Sequence, residues 1–309
     1  MGELLSIVAP IFLIVGAGFG ARKAGLIRDE AVDGLLAFVV RFAVTSLLFR
    51  ATAKLEVGET LRPGLLAAYY GTAVLAFALA ILVARRVFKH RPGVSVAAGF
   101  DVLFGNSLFI GLPVVSRALG PEATPLAIGI VSIHAPAMYA IGIVCMEASA
   151  RDGAGPIRAL GKVARSLARN SLVLAVAAGF AWNATGLAIP GALDEALALM
   201  AQVALPCGMF GIGASLARYG MAGEATEAGV LAAMKIVLHP LLAWGAALAL
   251  GLDPLATQVV VLMAAVPAGM NVYFFAVLYR RGEELAASVL LLGTAAAVIS
   301  LPLWIALVR

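Results

Sequence analysis

The chain has 309 residues, 62% of them hydrophobic and only 13% charged, with a net charge of +5. Soluble globular domains carry about 25% charged residues, whereas ten helices of about 20 residues, the length that spans a hydrocarbon core, would fill about two-thirds of a chain this size. That leaves little for a soluble domain, and the positive charge is no nucleic-acid signature because it falls in short loops between apolar runs.

In chain order the apolar segments cover 3–21, 32–50, 64–84, 94–119, 122–148, 167–187, 192–218, 226–250, 255–280 and 284–308. All are rich in Leu, Ala and Val and too long for buried strands. None alternates as a barrel strand does, so the backbone has to satisfy itself in helices. The first segment follows Met1-Gly2-Glu3 without a basic start and reads as a span, not a cleaved leader. Its Gly16-Ala17-Gly18-Phe19-Gly20 has no strand before it, so close helix packing explains it better than a dinucleotide fingerprint. Cys145 and Cys207 lie inside spans five and seven as small core residues, with no disulfide framework implied. Asn183-Ala184-Thr185 has the form of a glycosylation sequon, a triplet frequent by chance. The sequence holds no HExxH, Walker A or GxSxG motif.

Loops after odd-numbered spans hold fifteen Lys and Arg: Arg22, Lys23, Arg28, Arg85, Arg86, Lys89, Arg91, Arg151, Arg158, Lys162, Arg165, Arg169, Arg218, Arg280 and Arg281. Loops after even-numbered spans, with the termini, hold five: Arg50, Lys54, Arg62, Arg117 and Arg309. Basic loops stay cytoplasmic, which places both termini on the outer side.

The polar stretch from Ala148 to Arg169 divides the spans into five and five. Five is odd, so the second half enters the membrane in the opposite sense, the geometry of an inverted-topology repeat. At an offset of 161 residues Gly18-Phe19 and Gly25-Leu26 recur as Gly179-Phe180 and Gly186-Leu187, Asp33 meets Asp194, Phe49 meets Phe210, and Asn106 lands on Pro267.

Those last two positions lie in interrupted helices. Span four reads Gly105-Asn106-Ser107-Leu108-Phe109-Ile110-Gly111-Leu112-Pro113, and span nine reads Val266-Pro267-Ala268-Gly269-Met270-Asn271-Val272-Tyr273. Proline removes a backbone donor and glycine tolerates unwound backbone. Amides and carbonyls freed at membrane depth are expensive unless they line a cavity or are buried in protein. Two broken helices in matching positions of the two halves point to a transporter's binding site. Each half-helix start offers unpaired N–H groups and a positive dipole end, which suit a carboxylate. The candidate binding residues are Asn106, Ser107, Gly111, Pro113, Pro267, Gly269 and Asn271. Plain proline kinks without function are the alternative.

The span-four segment resembles the G-N-T/S-x-x-x-G-x-P motif of the auxin efflux carrier family. Pro267-Ala268-Gly269-Met270-Asn271-Val272-Tyr273, with Ala276 and Tyr279, looks like the ninth-span motif of bacterial members. Lys235, His239-Pro240-Leu241-Leu242 and Leu205-Pro206 with Gly211-Ile212-Gly213-Ala214-Ser215-Leu216 are similar to their eighth and seventh spans. The resemblance covers nearly the whole chain. It implies an all-α membrane protein of about ten transmembrane helices, a 5+5 inverted repeat in which broken helices four and nine cross, as in bile-acid-type transporters. It further implies a scaffold of spans 1, 2, 6 and 7, a transport domain of spans 3–5 and 8–10, and a homodimer. The expected division is 1–147 for the first repeat, 148–166 for a cytoplasmic linker and 167–309 for the second repeat. Where the family often has Leu-Pro in span two, this chain has Val44-Thr45, which puts local bending there in question. The short central loop places it with bacterial members, in a cell inner membrane.

Ionisable residues at membrane depth usually face a cavity or a partner. Asp101 reads equally as a coupling-ion site or as a structural partner of Lys235 or Arg41. Lys235 and His239 share a helix face and either supply positive potential to an anion or leave the lysine paired with Asp101. His134 and His239 are candidate polar groups that hydrogen bonding alone would also explain, Arg41 reads as structural, and Glu147 reads as the surface partner of Arg151.

The sequence therefore predicts a secondary transporter of small organic anions, working by elevator-type alternating access, with no catalytic residues, no metal and no cofactor beyond a coupling ion, H+ or Na+. By resemblance the cargo is a malate-, malonate- or auxin-like acid. A membrane-embedded anion sensor and an intramembrane enzyme are the alternatives; paired-carboxylate chemistry is disfavoured because Asp101 is the one carboxylate expected deep in the spans.

Overall fold

The computed structural model describes residues 2–149, 161, 164–165, 168–218 and 225–309. The expected linker at 148–166, with Arg151, Arg158 and Lys162, lies mostly outside the described residues. Among the described residues, seven helices are long and apolar enough to cross a membrane. They are α1 (Gly2–Lys23), α2 (Asp29–Ala53), α3 (Pro63–Arg86), α6 (Thr124–Ser149), α8 (Gly191–Leu216), α9 (Ala225–Ala249) and α12 (Glu283–Val308). The other expected spans correspond to shorter helices: α4 (Pro92–Leu103) and α5 (Ser107–Leu119) for span four, α7 (Ser171–Asn183) for span six, and α10 (Pro254–Ala264) and α11 (Asn271–Tyr279) for span nine.

The helix boundaries have local causes. Pro63, Pro92 and Pro254 stand at the first turns of α3, α4 and α10, where a missing N–H costs nothing. The Asn170 and Asp253 side chains cap α7 and α10, each accepting from first-turn amides. The chain leaves α1 and α7 through Gly25 at φ +73° and Gly186 at φ +68°, conformations that favour glycine. These two are partners at the 161-residue offset.

The same offset exchanges tertiary contacts. A Cβ on Gly18 would clash with the Phe210 carbonyl of α8, and one on Gly179 with the Phe49 carbonyl of α2. Gly18 maps onto Gly179 and Phe210 onto Phe49, so each half presents its glycine to the other half's phenylalanine. The matched aspartates behave alike. Asp33 at the start of α2 pairs with Arg218 just beyond α8 at 2.7 Å, and Asp194 at the start of α8 pairs with Arg50 near the end of α2 at 2.7 Å. Helices α2 and α8 are thereby pinned at both ends, with Lys54 reinforcing Asp194 at 2.7 Å.

Two groups of helices emerge from the packing. Helix α8 lies against α1 and α2, and α2 against α7; separately, α3 packs on α4, α9 on α3, α10 and α12, and α4 on α6. Small residues allow close approach within the second group, where Ala68, Ala73, Ala76, Ala80 and Ala84 of α3 are all buried. Between the groups, Gly208 of α8 leaves space for the Phe109 ring of α5.

Immediately before Val44-Thr45 the helix is irregular despite the missing proline. A π-helical turn occupies Val39–Ala43, and the Thr45 hydroxyl donates to the carbonyls of Arg41 and Phe42 at 2.8 Å each. Two further such turns lie at Ser107–Gly111, at the start of α5, and at Met234–Leu238 in α9.

Candidate functional site

The two interruptions meet. Gly105 and Ala268 form an antiparallel bridge; the Asn106 amide donates to the Pro267 carbonyl at 2.8 Å and the Gly269 amide to the Phe104 carbonyl at 3.0 Å. Backbone polarity at membrane depth has to be accounted for group by group. The Gly105 carbonyl receives His134 Nε2 at 3.2 Å, and the Ala264 carbonyl, at the end of α10, receives Lys235 Nζ at 2.8 Å. The Asn106 carbonyl takes the amides of Ile110 and Gly111, and that of Gly269 takes Val272. These six carbonyls, of Phe104, Gly105, Asn106, Ala264, Pro267 and Gly269, are thus covered. The amides of Ser107, Leu108 and Phe109 at the start of α5 and of Asn271 at the start of α11 precede the first carbonyl-bonded amides of those helices.

Those helix starts open on a cavity of about 380 Å³. Its wall includes Asn106, Ser107, Leu108 and Phe109 on one side of the crossing, and Gly269, Met270, Asn271 and Phe274 on the other. His134 and Ser132 of α6 join them. The facing wall comes from the first group of helices: Leu36, Val40, Arg41, Val44 and Leu48 of α2, Ile212 of α8, and residues 169–173 with Val176 around the start of α7. The cavity therefore lies between the two groups, and an anion inside it would meet two positive helix ends and two asparagine side chains.

Second-layer hydrogen bonds fix these groups. The Tyr139 hydroxyl of α6 donates to Asn271 Oδ1 at 2.9 Å, leaving the Asn271 Nδ2 donors for a ligand. Tyr69 of α3, wholly buried, links the Ser107 hydroxyl at 3.1 Å to His134 Nδ1 at 3.3 Å. Because the Gly105 carbonyl can only accept, His134 donates from Nε2 and accepts at Nδ1, so the neutral ring satisfies the whole chain.

Of the residues singled out in the sequence, Asn106, Ser107, His134, Gly269 and Asn271 line the cavity. Gly111, Pro113 and Pro267 do not; they build the break. A Cβ on Gly111 would lie 2.9 Å from Met263 Sδ, so this glycine lets α5 approach α10, and the Pro267 carbonyl is consumed in the crossing. Lys235 and His239 sit behind the crossing, fully buried, with Lys235 Nζ 3.0 Å from His239 Nδ1. They stabilise the negative end of α10 and do not touch the cavity.

Asp101 pairs with neither Lys235 nor Arg41: it is buried in α4, and its Oδ1 has no hydrogen-bond partner among the described residues. Nor is it the lone buried carboxylate. Glu227 is buried against His90 at 2.8 Å, and Glu147 is buried and hydrogen-bonded to Tyr279. Glu147 is thus no surface residue; its expected partner, Arg151, lies outside the described residues. The misplacement has a simple cause, since apolar segment ends in a sequence do not reveal which neighbouring helix covers them.

Sequence reasoning passed over Tyr69 and Tyr139, whose roles depend on contacts across helices, and did not place Arg41 at the cavity wall. For Arg41 a signal existed: a guanidinium at the middle of a span with no acidic residue one turn away.

Comparison with known proteins gives concordant results. The model of the membrane transport protein family matches residues 4–305. The chain is 28% identical to a Rhizobium meliloti (strain 1021) protein provisionally named a malonate transporter, covering 95% of this chain and 92% of the relative. It is 23% identical to an uncharacterized transporter of Methanothermobacter thermautotrophicus, covering 98% of each. Auxin efflux carrier component 8 of Arabidopsis thaliana is also 23% identical, over 94% of this chain and 93% of its own length.

Proposed function

The chain belongs to the membrane transport protein family, that of the auxin efflux carriers, and from that premise we propose that it is a secondary carrier of small organic carboxylates. The family is one of transporters, not enzymes. The observation that carries the proposal is the crossing itself. Two half-helix starts and two asparagines meet at one cavity, and the Gly105, Asn106, Pro267 and Gly269 carbonyls beside them already accept hydrogen bonds. Two positive helix ends and the asparagine amides facing one cavity favour an anion.

In this reading residues 1–147 and 167–309 are the two repeats. Helices α1, α2, α7 and α8 form the scaffold and the remainder the moving domain. The position of the cavity between the two groups supports it: displacing the crossing past α2, α7 and α8 would carry a bound anion from one side to the other. Gly208, which accommodates the Phe109 ring, lies on the surface where that sliding would occur.

Thermal unfolding of the purified protein with a panel of small carboxylates tests the site. A ligand at about 100 times its Kd adds about 2.7 kcal/mol of stability, so the wild type should melt higher with the correct acid. Asn106→Ala and Asn271→Ala should melt normally alone and gain nothing from it. A full ligand shift in both variants would place the binding site elsewhere.

A further inference from the structure

We propose that Arg117 latches a gate on the face opposite the cavity mouth, holding the moving group of helices against α1 while the cavity opens at Arg169. The inference rests on the division into scaffold and moving domain proposed above, and adds the contact that sets which side the crossing faces.

The scaffold helices define two faces. At one, Arg22 at the end of α1 pairs with Asp29 at the start of α2 at 2.8 Å, and Arg218 beyond α8 reaches Asp33. At the other, the end of α7 meets the end of α2, where Asn183 Nδ2 donates to the Ala53 carbonyl at 3.0 Å. Helix α7 therefore starts at the first face, and the cavity runs out to it at the exposed Arg169. Helix α1 starts at the second.

At that second face Arg117, near the end of α5, reaches across the boundary between the groups. Its Nε donates to the Ile7 carbonyl at 2.8 Å and its Nη2 to the Ser6 carbonyl at 3.3 Å, both in α1. By contrast, the hydrogen bonds of the crossing and the ion pairs between α2 and α8 each stay within one group. Pro10 explains the target: it has no N–H, so the Ser6 carbonyl one turn earlier lacks its helical donor. Arg309 at the end of α12 holds the adjacent Ala118 carbonyl, so two moving helices present the guanidinium. Both Arg117 bonds are exposed, and breaking them exchanges a protein acceptor for water at small net cost. A contact opened in every transport cycle has to be of this kind, because a buried charged pair would trap one state.

Pulsed electron–electron spin resonance on the purified full chain reads the separation of the groups at this face. Labels go on Glu122→Cys, just beyond α5, and Glu195→Cys, at the start of α8, both exposed, with Cys145 and Cys207 replaced by alanine. With no further change the protein should show one main distance. Arg117→Gln should enlarge a second, longer population about threefold, the factor expected for a hydrogen bond of this kind. Pro10→Ala should shift the same way, because its new amide takes the Ser6 carbonyl, yet melt no lower, alanine being the better helix former. An unshifted distance in either variant overturns the latch, and a lower melting temperature of Arg117→Gln without a second distance marks a bond that only stabilises. If both variants shift but the wild type shows no counterflow of any carboxylate, the carrier reading falls and the latch stands. Counterflow with unshifted distances removes the latch alone.

Discussion

Asn106 and Asn271 stand in the two broken helices, yet their surroundings differ. Asn271 is held by Tyr139, whose hydroxyl occupies its Oδ1, whereas Asn106 is fixed through its backbone amide on Pro267. Orientation of Asn271 is therefore borrowed from α6. Tyr139→Phe removes one hydrogen bond, worth about 0.5–1.5 kcal/mol, without removing the ring that packs on Phe100 and Phe104. We expect carboxylate affinity to drop about three- to tenfold by titration, with melting nearly unchanged; an unaltered affinity would mean that Asn271 is positioned by something else. Both asparagines were legible in the sequence because Pro, Gly and Asn coincide mid-span. Tyr139 was not, since a tyrosine in an apolar run has the same local signature whether it faces lipid or holds a ligand-binding amide.

At the scale of elements, the glycines of α1 and α7 separate packing from propensity. Gly18 and Gly179 each lie against a carbonyl of a neighbouring helix, while Gly16 and Gly20 have open space where a Cβ would stand. A backbone carbonyl cannot swing aside as a side chain can, so Gly18→Ala and Gly179→Ala should each destabilise by about 1–3 kcal/mol. Gly20→Ala should be neutral or slightly stabilising, because alanine favours helix. Thermal melts of the three variants check this; equal effects at all three positions would refute the mirrored contact. The sequence showed the glycine repeat but not which glycines mattered, because helix periodicity does not specify rotation about the axis. Helix extents were the most legible feature: the expected span 226–250 became Ala225–Ala249. The π-helical turn at Val39–Ala43 was invisible, since the sequence question there concerned the absent proline.

For the molecule as a whole, the argument turns on two bundles sharing one cavity. Hydrophobic length made the apolar segments legible, and an odd number of spans in each half is what the proposed inverted repeat requires. The pairing of Asp33 with Arg218 and of Asp194 with Arg50 gives that symmetry a physical form, each repeat clasping the other by the same aspartate. What composition could not supply was the fate of charges inside the membrane. Lys235 turned out to neutralise the end of α10, Asp101 to lie apart from it, and Arg41 to face the cavity, because these outcomes depend on which helices adjoin. Carriage, as distinct from binding, requires the crossing to visit both sides of the membrane. The direct measurement is counterflow of a radiolabelled small carboxylate into proteoliposomes preloaded with the same acid. The account predicts saturable uptake by the wild type and none by folded Asn106→Ala or Asn271→Ala. Binding without counterflow in the wild type, or undiminished counterflow in those variants, would contradict it.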